Sequence, residues 1–294
     1  MKYLDEYRDP AAAGQILDEI RRITSRCWTL MEVCGGQTHS LLRHGIVSEL
    51  EGIVELIHGP GCPVCVTDQP DIDFACELAQ RRDVVLTSFG DMLRVPGRQG
   101  SLLDAQTAGA NIRTVYSPLD AVKLARQQPQ KEIVFFAVGF ETTAPATALA
   151  LKQAELSGLT NFSLLVSHVR VQPAMELLLQ SADNRVQAFL AAGHVCTVTG
   201  YESYESLVAQ YQLPVVVTGF EPLDLLNGIL ACIRQLEAGT ARLENQYSRL
   251  VKPSGNRAAR ELVQQVYQIC DRPWRGFGSI PNGVPGATPR MGPI

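Results

Sequence analysis

Two glycine-rich turns place three thiols and an imidazole where they could do chemistry: Met31-Glu32-Val33-Cys34-Gly35-Gly36-Gln37-Thr38-His39 and Gly59-Pro60-Gly61-Cys62-Pro63-Val64-Cys65. Each turn follows a short apolar run that reads as a strand. Gly35 and Gly36 carry no Cβ and let a ligand approach the backbone closely. A helix is expected to begin near Thr38, a good N-cap residue. The positive end of that helix would favour a thiolate at Cys34, the form that binds soft metals or acts as a nucleophile. His39, in the next turn, is a candidate ligand or acid–base partner, with helix capping as the plain alternative. His44 reads as a surface residue. Cys62-Pro63-Val64-Cys65 is a lone C-x-x-C, able to supply half a zinc site or a dithiol/disulfide pair. A closed zinc site needs two further ligands and no second C-x-x-C exists, so a redox pair or a transient metal site is preferred. His58, just before that turn, reads as structural.

A third turn, Gly139-Phe140-Glu141-Thr142-Thr143, follows Ile133–Val138, the strongest strand candidate in the chain. Thr142 or Thr143 could cap the next helix, leaving backbone N–H groups free as a generic anion site. Gly219-Phe220-Glu221-Pro222 looks more structural. No Walker-type phosphate loop, dinucleotide-binding glycine turn or serine-hydrolase elbow is present.

The chain that holds these turns has 294 residues, enough for one large domain or two medium ones. Hydrophobic residues make up 46% and charged residues 19%, enough for a true core. A net charge of −4 without a basic run argues against a nucleic-acid surface. No apolar run approaches the roughly 20 residues that span a bilayer. The first residues, Met1 to Arg8, contain no apolar signal segment, so the expected compartment is the cytoplasm. There the eight cysteines would not form a disulfide framework. Cys27, Cys76, Cys232 and Cys270 read as plain thiols.

Strands are expected at Leu30–Cys34, Val54–Ile57, Val84–Thr87, Ile112–Tyr116, Ile133–Val138, Phe162–Val166, Ala188–Leu190 and Val215–Thr218. Helices are expected between them, including Asp71–Arg81, Leu119–Gln127, Thr143–Ser157, Pro173–Gln180 and Pro222–Glu237. This alternation is α/β with mostly parallel sheets flanked by helices. Val84-Val85-Leu86-Thr87-Ser88-Phe89 aligns with Val215-Val216-Val217-Thr218-Gly219-Phe220. In the same register Gly97 meets Gly228 and Cys65 meets Cys196. The match suggests two related α/β domains joined around Pro118–Gln130, facing each other across a cleft. Residues 1–120 would carry the cysteine turns and 121–240 the Gly139–Thr143 loop. Residues 241–294 would form a C-terminal helix, near Arg257–Ile269, and an irregular tail.

Met31–His39, His58–Val66, Phe89–Gly97 and Gly139–Thr143, with Tyr116–Pro118, Gly219–Leu226 and Glu244–Tyr247, closely resemble in order the signatures of the HypD family of [NiFe]-hydrogenase maturation factors. The resemblance runs from about Tyr3 to Gly278. It implies a scaffold for assembly of the Fe(CN)2CO fragment. In that family the iron is shared with a small chaperone, HypC, through one thiolate from each protein. Cyanide comes from a carbamoyl-derived thiocyanate on HypE. Carried over, Cys34 is the iron thiolate and His39 its neighbour. Cys62 and Cys65 are the redox pair, and Glu141, Thr142 and Thr143 line the same cleft. Position 37 is histidine in some members; glutamine here excludes an imidazole ligand from it. The family also implies a C-terminal [4Fe-4S] site, which needs four thiolates. Cys270 is the only cysteine after Cys232, so no stable cluster is expected, and assembly should fail or depend on an external reductant. The competing classes are a stand-alone thiol–disulfide oxidoreductase and a non-catalytic docking module.

Overall fold

The computed structural model describes residues 5–287. Its strands are β1 (Trp28–Glu32), β2 (Val54–His58), β3 (Val84–Ser88), β4 (Ile112–Thr114), β5 (Glu132–Gly139), β6 (Phe162–His168), β7 (Ala188–Ala192), β8 (Val215–Thr218), β9 (Leu243–Asn245), β10 (Tyr267–Trp274) and β11 (Gly278–Ala287). The α/β class with parallel sheets is as expected. The chain divides into two units, residues 1–61 with 174–257 and residues 62–173 with 258–294.

The first unit is built on the parallel sheet β2-β1-β7-β8-β9. Numbered along the chain within this unit, that is 2-1-3-4-5, a doubly wound order whose direction reverses between β1 and β7. Ligands in such sheets sit beyond the strand C-termini at that reversal. β1, β7 and β8 are buried throughout, as strands covered on both faces must be. Leu30, Leu190 and Val216 share a core with Leu225, Leu226 and Ile229 of the helix Pro222–Glu237 and with Ile20 of the helix Pro10–Ile23. The latter helix starts at Pro10 because Asp9 accepts the N–H groups of Ala11 and Ala12.

The second unit contains β4-β3-β5-β6, also parallel and ordered 2-1-3-4, with its reversal between β3 and β5. Ile133 to Val138 form an uninterrupted buried run in the interior strand β5. β4, at the edge, is three residues long and exposes Arg113 and Thr114. The antiparallel hairpin of β10 and β11 belongs to this unit.

The expected domain segments differ from these units. β1 and β2 pair with β7, β8 and β9 rather than with β3 and β4, and the helix Pro118–Gln127 lies within the second unit instead of joining two halves. Apolar runs reveal strands, but a parallel ladder offers the same hydrogen bonds to any partner, so partners are chosen by three-dimensional packing. The repeat needs correction for the same reason. β3 is the first strand along the chain in its sheet whereas β8 is the fourth in its own, so the aligned segments are not topological equivalents. The equivalence lies between the reversal pairs, β1/β7 and β3/β5. The tail also differs: the helix is Arg257–Val266, and residues from Tyr267 to Ala287 form the hairpin rather than a loop. The remainder of the expected tail lies outside the described residues.

Candidate functional site

Cys34 stands where β1 ends, at the reversal between β1 and β7. The helix that follows spans Gly35–Arg43, so Cys34 itself, not Thr38, is its N-cap. Its Sγ accepts the Gly36 N–H at 3.3 Å. Its carbonyl receives the N–H groups of Gln37 and Thr38. The backbone is extended here, φ −150° and ψ 122°. Glycine at the next two positions costs helix propensity, and the geometry explains it. A Cβ on Gly36 would lie 3.3 Å from the Phe220 ring.

The second turn is laid directly on the first. The Gly59 N–H donates to the Glu32 carbonyl at 2.8 Å, and the Gly35 N–H donates to the Gly61 carbonyl at 3.2 Å. A Cβ on Gly61 would fall 2.3 Å from the Gly35 nitrogen, and one on Gly59 would fall 2.8 Å from the Glu32 carbonyl oxygen. Both glycines are therefore required by backbone-to-backbone contact.

The imidazole beside Cys34 is His194. Its Nδ1 and Nε2 lie 3.8 and 3.9 Å from Sγ. It is the second residue of the helix Gly193–Thr199, which follows β7, the partner of β1 across the reversal. Phe220, after β8, packs its ring 5.2 Å from that of His194, so its turn contributes to the site beyond the structural part expected of it. His39 is exposed on the helix and makes no hydrogen bond to Sγ among the described residues. His44 is exposed at the helix C-cap. Gln37 is fully buried and donates to Thr218 Oγ1 at 2.7 Å, while its Oε1 has no donor.

Beneath Cys34 lies Glu32, fully buried at the end of a strand whose one other polar residue is Thr29. Its carboxylate accepts the Cys34 N–H, the Thr38 hydroxyl and His58 Nδ1. Burial pushes the Cys34 thiol above its ordinary range. The N–H groups of Gln37 and Gly36 pull it back, and the Glu32 charge adds to the rise. Desolvation thus outweighs the helix terminus, and the resting group is a thiol rather than the expected thiolate. Burial lowers the pKa of His194, favouring the neutral ring. Glu32 and His194 escaped the sequence reading. An acid at the end of a mostly apolar run, and the Gly193-His194 pair just after the strand expected at Ala188–Leu190, were the available signals.

Cys62 and Cys65 open the second unit, beyond the Gly61–Cys62 peptide bond. They are joined as a disulfide with Cα atoms 5.3 Å apart. Cys65 is exposed and Cys62 half-buried. The turn is held by the Thr67 hydroxyl on the Pro63 carbonyl and by the Arg275 N–H, from the hairpin connection, on the Val66 carbonyl.

Gly139–Thr143 lies at the C-terminal end of β5, at the reversal of the second sheet. Thr143 occupies the N-cap of the helix Ala144–Leu156 but makes no side-chain cap. Its Oγ1 is turned to the Phe140 carbonyl and to His168 Nε2, each 3.1 Å away, so a threonine-capped anion site is not formed there. Thr142 is half-buried. Glu141 accepts the Val171 N–H at 2.9 Å, its other oxygen is buried without a partner, and desolvation raises its pKa.

Burial lowers the pKa of His168 to about 3 from an ordinary 6.5. The unfolded chain therefore binds a proton below that ordinary value while the folded protein does not. Stability should fall as pH drops from about 6.5 towards about 3, by up to about 1.4 kcal/mol per pH unit. His168→Gln should flatten this part of the urea-denaturation profile; an unchanged slope would contradict it.

Among the described residues no group of three or more His, Cys, Asp or Glu side chains could hold a metal ion. Cys270 is exposed on β10, and Cys196 and Cys232 are buried thiols. The described cysteines do not fit a [4Fe-4S] cluster, which takes four thiolates. No described helix is long and apolar enough to cross a membrane.

Residues 11–288 match the model of the HypD family, described as the hydrogenase formation hypA family. The chain is 45% identical over 290 residues to the hydrogenase maturation factor HypD of Rhodobacter capsulatus, covering 95% of this chain and 76% of that one. It is 43% identical to the Escherichia coli K12 protein of the same name, covering 98% and 80%. It is 46% identical to the hydrogenase expression/formation protein HupD of Azotobacter chroococcum, covering 97% and 77%.

Proposed function

The chain belongs to the HypD family of hydrogenase maturation factors, and we propose that it is the scaffold on which the Fe(CN)2CO fragment is assembled. Cys34 holds the iron and Cys62/Cys65 supply electrons. The observation that carries this is the setting of Cys34 at a sheet reversal, with Sγ beside His194 and its backbone pinned on both sides.

The chemistry follows from the groups present. Cys34 starts as a thiol, so iron binding replaces S–H by S–Fe and releases one proton. His194, neutral and 3.8 Å away, accepts it. The iron is cargo: a HypC-like chaperone provides the second thiolate and carries the fragment away. Freeing cyanide from a thiocyanate on a HypE-like donor consumes two electrons, R–S–CN + 2 e⁻ giving R–S⁻ and CN⁻. Closing the Cys62–Cys65 dithiol to a disulfide releases two electrons and two protons. One closure matches one cyanide, and an external dithiol reductant must open the disulfide before each of the two.

The test is anaerobic co-expression with HypC-like and HypE-like partners, followed by iron analysis and infrared spectroscopy. The double variant Cys62→Ser/Cys65→Ser should bind its partners yet show no cyanide bands. Full-strength bands would end the redox role. Efficient reduction of a generic disulfide by the chain alone would favour a stand-alone oxidoreductase instead.

A further inference from the structure

A carboxylate with no exposed surface, at the end of a strand buried throughout, carries a large desolvation cost unless it is well bonded. Glu32 is such a group, and each of its bonds leads to the cysteine turn or its neighbour. Oε2 takes the Cys34 N–H at 2.7 Å. Oε1 takes the Thr38 hydroxyl, one turn into the helix that Cys34 caps, and His58 Nδ1 at 2.8 Å. The Glu32 carbonyl takes the Gly59 N–H. A single residue thus ties β1, the start of the helix and the second glycine turn together.

We propose that Glu32 is a positioning residue for iron binding: it fixes the Cys34 backbone so that Sγ points at the space beside His194. Cys34 has bonds on both sides, its N–H to Glu32 and its carbonyl to Gln37 and Thr38. Removing the first frees φ at Cys34, so the anchored helix start, and with it the Cα–Cβ bond and Sγ, can turn relative to the end of β1. Groups that orient a metal-binding side chain are costly to lose even though they never touch the metal. What matters in this role is reach rather than charge. Glutamine keeps the reach, accepting the Cys34 N–H through Oε1 and meeting Thr38 and His58 through its amide. Aspartate keeps the charge but is one methylene too short to serve all three partners.

This deepens the reading of Cys34 as the iron thiolate, and one of its readouts needs no iron. In the full chain, Glu32→Asp should lower iron retention in the partner complex about tenfold and raise the alkylation rate of Cys34, taken from its pH profile at full ionisation, about tenfold; Glu32→Gln should stay near wild type in both. Iron-bound CO and cyanide bands should broaden in Glu32→Asp alone. A silent Glu32→Asp, or a Glu32→Gln as impaired as Glu32→Asp, overturns the proposal. Should Glu32→Asp not fold, Thr38→Val and His58→Asn loosen the same carboxylate. Each should speed alkylation and lower iron, and no change in either overturns the proposal. Iron retained by Cys34→Ala would refute the thiolate assignment, while the alkylation result still decides the positioning of Sγ.

Discussion

Cys34→Ser will empty the complex of iron and leave the protein folded. Serine is a preferred N-cap, and its oxygen can accept the Gly36 N–H that Sγ accepts now. The stability change should stay within about 1 kcal/mol, a melting shift under about 4 °C for a chain of this size. The hydroxyl, however, does not ionise in this buried setting and is a poor ligand for a soft metal fragment. Iron per complex should fall more than about tenfold, well beyond the usual cost of outer-shell changes. Normal iron content in a folded Cys34→Ser would remove Cys34 from the mechanism. Loss of folding would show that the thiol is structural.

Gly61→Ala should be nearly as damaging although it removes no functional group. The added Cβ would sit 2.3 Å from the Gly35 nitrogen, 2.6 Å from the Cys34 carbonyl carbon and 2.8 Å from its Cα. All three are backbone atoms, so no side-chain rotation can relieve the clash. The turns must separate, breaking the bond from the Gly35 N–H to the Gly61 carbonyl. Overpacking of this kind costs about 1–3 kcal/mol, concentrated on the segment that aims Sγ. Gly14→Ala is the matching control. Gly14 lies in the helix Pro10–Ile23 with nothing within 4 Å of a new Cβ, so alanine should stabilise by about 0.5–1 kcal/mol. Urea denaturation and iron analysis of both variants check the pair. Opposite signs are expected, and a Gly61→Ala that is stable and iron-replete would show that the turns are not packed as described.

The sequence by itself determined the materials. Continuous apolar runs such as Ile133–Val138 read as buried strands, and this one is. Glycines beside Cys34 and before Cys62 marked tight, closely approached backbone. The spacing of Cys62 and Cys65 suited a disulfide, and the pair forms one. These are local properties, set by side-chain volume, chain stiffness and short-range geometry. Partners were a different matter. β1 lies beside β7, and His194 comes to Cys34 from 160 residues away. His39, five positions along, stays exposed. Glu32 could be recognised as part of the site only once its strand was known to be buried on every side. Nor could helix polarity alone give the state of Cys34, because desolvation dominates and is set by what packs around it. A parallel ladder bonds through a backbone common to all strands, so the choice of neighbour, and with it the composition of the site, was decided by the tertiary structure.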